Sequence, residues 1–188
     1  MRIVPAAISL LKIKLLMEKY AILAALGDDI KDLVRLVNLA YRGGAAAGWT
    51  SEERYLDGSR TDDESIAALI SQSGAVMLKC VDGSGALVGC VHLEKEERDL
   101  HLGTFAISPE IQAQGLGRFL LERADEYARE HGCDRIVITV VSVRTELIAW
   151  YERRGYVRTG NRIPFPAKWG KPKFEVDFVE MEKLVVTE

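Results

Sequence analysis

The sequence is poor in the features that mark a disulfide scaffold, a metal module or a membrane span. Three cysteines, Cys80, Cys90 and Cys133, are scattered through 188 residues. Their number is odd and none has metal-ligand spacing, so no metal site is expected and a reducing compartment is the default. No stretch approaches about eighteen uninterrupted apolar residues, which leaves no candidate transmembrane helix. There is no basic excess either: 25 Lys and Arg stand against 28 Asp and Glu, a formal charge of −3. A duplex-binding domain normally carries a positive surplus, so nucleic acid is not the expected partner. Gly-Lys-Ser/Thr is missing, which excludes a Walker loop. Internal repeats, low-complexity tracts and interdomain linkers are absent from the sequence as well. What remains is a globular balance, 48% apolar and 28% charged, over the length of one domain. The expectation is a cytoplasmic domain that engages no membrane.

Residues 1–16 (MRIVPAAISLLKIKLL) are apolar but broken by Lys12 and Lys14, and they end without a small-residue cleavage site, which argues against a secretory signal. They read as an amino-terminal extension upstream of a natural start at Met17, or as an extra element or partner-binding tail. Residues 17–188 read as a single domain. Within it, 20–26 (YAILAAL) is a first strand, and 29–41 places Ile30, Leu33, Val34, Val37 and Tyr41 on one helical stripe. Two capping boxes follow, Thr50 with Glu53 and Thr61 with Glu64, each predicted to open a short helix. Strands are expected at 75–81, 86–95 and 100–107, the first two joined by Asp82-Gly83-Ser84-Gly85. A strong helix spans 115–131, and 135–141 (RIVITVV) is a strand covered on both faces. A helix at 145–154, a short strand at 156–159 and a final strand at 174–181 complete a mixed α/β layer order.

The most informative segment is 105–118, FAISPEIQAQGLGR. A strand ends, a proline marks a turn, and Gln112-Ala113-Gln114-Gly115-Leu116-Gly117 runs into a helix. Glycines admit close backbone approach, and helix-start amides with the helix dipole favour phosphate oxygens. The third glycine of a dinucleotide fingerprint is missing.

With Gln112, Gly115 and Gly117 in the pattern Gln/Arg-x-x-Gly-x-Gly/Ala, and Tyr151-Glu152-Arg153-Arg154-Gly155-Tyr156 following a helix and a buried strand, the chain resembles the GCN5-related N-acetyltransferases over roughly residues 20–183. The resemblance implies an α/β fold of three layers: a mixed, mostly antiparallel sheet of seven strands, splayed in the middle and flanked by four helices. It implies direct acetyl transfer from acetyl-CoA to an amine of a small molecule or peptide. The coenzyme's pyrophosphate is then expected at Gln112, Ala113, Gln114, Gly115, Leu116, Gly117 and Arg118. Its pantetheine arm is expected along Phe105, Ala106 and Ile107. Tyr151 matches the family's proton donor to the leaving thiolate, while its spacing from Leu147 also allows a core aromatic. The position four residues before Phe-Ala-Ile, a glutamate in the histone-acetylating branch, is His101. An imidazole suits a base at neutral pH. Glu94 and His92 on the neighbouring strand are further base candidates, with water as relay.

Many members carry asparagine seven residues before the helix tyrosine; here it is Arg144, which removes the expected amide contact to coenzyme. The acceptor would enter between 49–61, which carries Glu52, Glu53 and Asp57, and 162–173, which is basic and aromatic. Glu52 and Glu53 read there as solvated cap residues. The two loops point to opposite charges, so no acceptor follows. A homodimer is the family expectation. The rival reading is a coenzyme-binding sensor without turnover.

Overall fold

The computed structural model describes residues 15–16, 18–43, 51–166 and 171–186. The strands are β1 (Tyr20–Ala24), β2 (Leu56–Asp57), β3 (Ala75–Asp82), β4 (Leu87–Glu96), β5 (Asp99–Ile107), β6 (Arg135–Val141), β7 (Val157–Pro164), β8 (Lys171–Pro172) and β9 (Asp177–Leu184). The helices are α1 (Ile30–Arg42), α2 (Asp63–Ser71), α3 (Leu116–Glu130) and α4 (Thr145–Glu152). Seven strands form one sheet in the order β1-β3-β4-β5-β6-β9-β7, and β2 pairs with β8 beside it. All pairings in the sheet are antiparallel except β5 with β6. The layers are those expected of the fold class. Among the described residues no helix is long and apolar enough to cross a membrane.

Period-two alternation explains how one sheet serves two layers. On β4, Val91 and Leu93 turn to the face covered by α3 and α4, where Leu116, Leu120, Ala124 and Ile148 complete the main core. Cys90 turns the other way, with Met77 and Ala106, against Leu33, Val37 and Ala40 of α1 and Ile66 of α2. Each buried leucine contributes about 2 kcal/mol, and both faces of the central strands are covered. That is why β6 reads as an unbroken apolar run.

Several boundaries differ from the sequence reading. Residues 53–55 form a turn rather than a helix, and Thr50 lies outside the described residues, as do residues 1–14 of the extension. Leu16 packs against the main core. The cap of α2 is Asp62, whose Oδ1 accepts from Ser65 N–H at 2.8 Å, not Thr61. A carboxylate one residue nearer the first turn outcompetes the hydroxyl, and its charge suits the helix dipole. The last strand begins at Asp177 rather than Phe174, because its register is set by Phe178 opposite Val141 and Leu184 opposite Arg135. Phe174 instead meets Tyr55 edge-on at 6.1 Å. Strand β7 runs on past 159 through a register shift at Gly160, whose φ is +91°.

Candidate active site

The parallel pairing of β5 with β6 covers Asp99–His101 against Arg135–Val137 and then stops. Beyond it the strands separate. Splayed strands leave inward amides and carbonyls without a ladder partner, a cost that a polar ligand or side chain must offset. Two cavities open at this place, of about 450 and 350 Å³, and they share Tyr41, Phe105, Leu147 and Tyr151.

One wall of the smaller cavity is consecutive backbone. After β5 the chain makes a single turn at Pro109–Ile111. Ala113 (φ +66°) and Gly115 (φ +94°) then sit in the left-handed region. At Gly115 that conformation is what selects glycine. The first bond of α3 closes from Phe119 N–H to Gly115 O at 3.0 Å. The amides before it therefore start the helix with no intrahelical acceptor, at its positive end. A Cβ on Gly117 would stand 3.4 Å from Trp150 Cζ2, so a bare glycine keeps the wall thin there.

Gln112, Ala113, Gly115, Leu116, Gly117 and Arg118 all line this cavity, with Phe105, Ala106 and Ile107 opposite. Gln114 is exposed and is not on the wall. Arg118 donates from Nε to Glu122 Oε1 at 2.7 Å. A second cation went unnoticed in the sequence: Arg154, in the spacer of the tyrosine motif, lies over the Trp150 ring at 3.5 Å and lines the same cavity. Helix-start amides, the guanidiniums of Arg118, Arg144 and Arg154, and apolar flanks fit a ligand with phosphates at one end and a thin amide-bearing arm.

The larger cavity is made by side chains from many elements. Tyr151 is 5% exposed, edge-on to Trp150 at 5.0 Å and to Tyr156 at 5.3 Å. Burial holds its phenol well above the ordinary tyrosine range, so it is protonated at neutral pH. Tyr41, in the last turn of α1, donates its hydroxyl to Phe105 O at 2.9 Å, across the mouth between the cavities. Burial pushes Tyr41 up to about 12. The three base candidates share one wall. His101 is half-exposed at the closed end of the cleft, its Nε2 3.4 Å from Glu96 Oε2. Glu94 stands opposite it in the β4–β5 register and accepts a hydrogen bond from Gln72 Nε2. His92 is buried beside Leu69.

Two residues are placed otherwise than the sequence suggested. Glu52 is not a solvated cap: it is 7% exposed, and its Oε2 accepts from Arg42 Nη1 at 2.8 Å. Its main-chain N–H donates to Tyr41 O at 2.8 Å, which folds the segment onto α1 instead of into a helix of its own. Arg144, in the expected asparagine position, is 1% exposed; its Nε donates to Glu146 Oε1 at 2.6 Å and its Nη1 lies 3.9 Å from Glu52 Oε1. A buried ionic chain thus ties α1, the segment after it and the start of α4 around Tyr151. Partners this far apart in sequence leave no local signal.

Residues 32–156 match the model of the family described as the acetyltransferase (GNAT) family. A mycothiol acetyltransferase of Jonesia denitrificans is 30% identical over 93 residues, covering 48% of this chain and 30% of that protein. The matched segment spans less than half the length of the curated relatives. Among solved structures, the ribosomal-protein-S18-alanine N-acetyltransferase from Escherichia coli superposes with a TM-score of 0.67 at 17% identity, covering 90% of this chain and 96% of that one. A spermidine N-acetyltransferase from Vibrio cholerae, in complex with CoA and spermine, gives 0.66 at 18% identity, covering 89% and 96%. At these identities the likeness is one of fold.

Proposed function

The chain belongs to the acetyltransferase (GNAT) family, and on that premise we propose that it transfers the acetyl group of acetyl-CoA directly to an amine. The observation that carries this reading is Tyr151, buried and protonated on the wall common to both cavities. The smaller cavity takes the coenzyme: the amides of Ala113 to Arg118 hold its pyrophosphate, Arg118 and Arg154 add charge, and the Phe105 to Ile107 edge meets its arm. Acetyl-CoA supplies there an acyl group activated as a thioester.

The larger cavity takes the acceptor, a small-molecule or peptide amine. An amine is an ammonium ion at neutral pH, so a group on that wall removes a proton before attack; His101, Glu94 and His92 are the candidates. Tyr151 gives its phenolic proton to the departing sulfur. The Tyr41–Phe105 and Arg42–Glu52–Arg144 contacts fix the walls between which these groups act.

Thiol release from acetyl-CoA, measured with polyamines, amino acids, aminoglycosides and peptide amino termini, tests the reading, with a thermal shift reporting coenzyme binding. We expect binding, and release with one acceptor class. Binding with no release from any amine would instead favour a sensor, and absence of binding would overturn the assignment of the smaller cavity.

A further inference from the structure

His92 stands apart from the other groups on the acceptor wall. It is 5% exposed, and its Nε2 is buried with no hydrogen-bond partner among the described residues. The ring also lies against the Leu69 main chain, which favours its protonated form. To act as a base, the neutral imidazole needs its hydrogen on Nδ1 and a bare lone pair on Nε2. A buried acceptor left open in this way is met by water or by a ligand.

Its place along the cleft matters equally. His92 is opposite Gly103, two residues from Phe105, whereas His101 is four residues away, at the point where β5 and β6 still pair. At about 3.3 Å per residue those offsets are roughly 7 and 13 Å along the strand. The β4–β5 register also slips beside His92, where Thr104 has φ +41°. The bulge turns the strand at the level of His92 and Phe105.

Resting on the reading of the larger cavity as the acceptor site, we infer that His92 Nε2 is the base that takes the proton from the acceptor ammonium. The ammonium gives one N–H proton to Nε2, and the freed lone pair forms the C–N bond to the acyl carbon. The C–S pair leaves on sulfur, which takes the Tyr151 proton. The tyrosinate recovers a proton from the new amide nitrogen, and His92 returns its proton to water.

Burial lowers the His92 pKa, against the opposing charge of Glu94 on its own strand and the Leu69 main chain beside the ring. The ring is thus neutral and ready at pH 7. Facing it across the cavity are Glu52, Arg42 and Arg60, with His101, Tyr41 and Tyr151 as the other titratable groups, and α2 contributes the Leu69 main chain.

The test uses full-length protein, acetyl-CoA and n-butylamine as the probe acceptor. His92→Gln is expected to lower turnover at pH 7.5 by about a hundredfold, to remove the acidic limb of the kcat/KM profile and to leave coenzyme affinity unchanged. Equal turnover and an intact limb in His92→Gln would overturn the inference while thiol release stands. Imidazole nitrogen NMR of the coenzyme-bound native protein gives a readout that needs neither a variant nor turnover. An unprotonated Nε2 on His92 at pH 7 supports the inference, and an Nε2–H tautomer overturns it. Failure of coenzyme to bind is seen separately by thermal shift and would count against the functional reading instead.

Discussion

The two cavities of this protein are built in opposite ways. The smaller cavity has one wall made by a single run of main chain, residues 112–118, where two left-handed residues and a helix start aim several amides the same way. The larger cavity draws on side chains of α1, the segment after it, β4, β5, β6, α4 and β9. Main-chain recognition tolerates exchange of side chains as long as the backbone path survives. Side-chain recognition can be rebuilt residue by residue. A fold with this division can hold the ligand of its smaller cavity constant while that of the larger varies.

The contrast is most sharply broken at Glu52. Replacing it by alanine leaves Arg42 and Arg144, both nearly inaccessible, facing each other without their shared carboxylate. Removing one partner of a buried pair costs about 3–5 kcal/mol, and at roughly 2–4 °C per kcal/mol in a domain of this size the melting temperature should fall by about 10 °C. A Glu52→Ala variant that melts with the parent in differential scanning calorimetry would show the ionic chain to be dispensable.

A smaller effect is expected on the other side. Gly115→Val brings its Cβ into ordinary contact with Leu16 Cδ1 at 3.6 Å, but φ +94° is closed to a β-branched residue. Holding that conformation costs about 1–2 kcal/mol, so coenzyme affinity by calorimetry should weaken about tenfold, with the fold retained. Unchanged affinity would mean that the cradle's path does not depend on Gly115.

The same division decides what the sequence revealed. Gln112, Gly115 and Gly117 mark the cradle because its geometry is local, and apolar periodicity marks β6 and α3 because their burial is complete. Glu52, Arg144, Tyr41 and Arg154 carry no such mark. Each acquires its role from a partner brought near by the fold, and Glu52 beside Glu53 looks like any helix cap until Arg42 and Arg144 are seen around it. The order of β1 and β7 at the sheet edges is equally non-local, set by pairing rather than by their own residues.

Hydrogen exchange in the presence and absence of coenzyme A tests whether the coenzyme is held by consecutive main chain in the smaller cavity. The amides of Ala113 to Arg118 are expected to slow by an order of magnitude or more, while those around Glu52 and His92 change little. Protection concentrated around Glu52 and His92, with the 113–118 amides unchanged, would place the coenzyme in the larger cavity and contradict it.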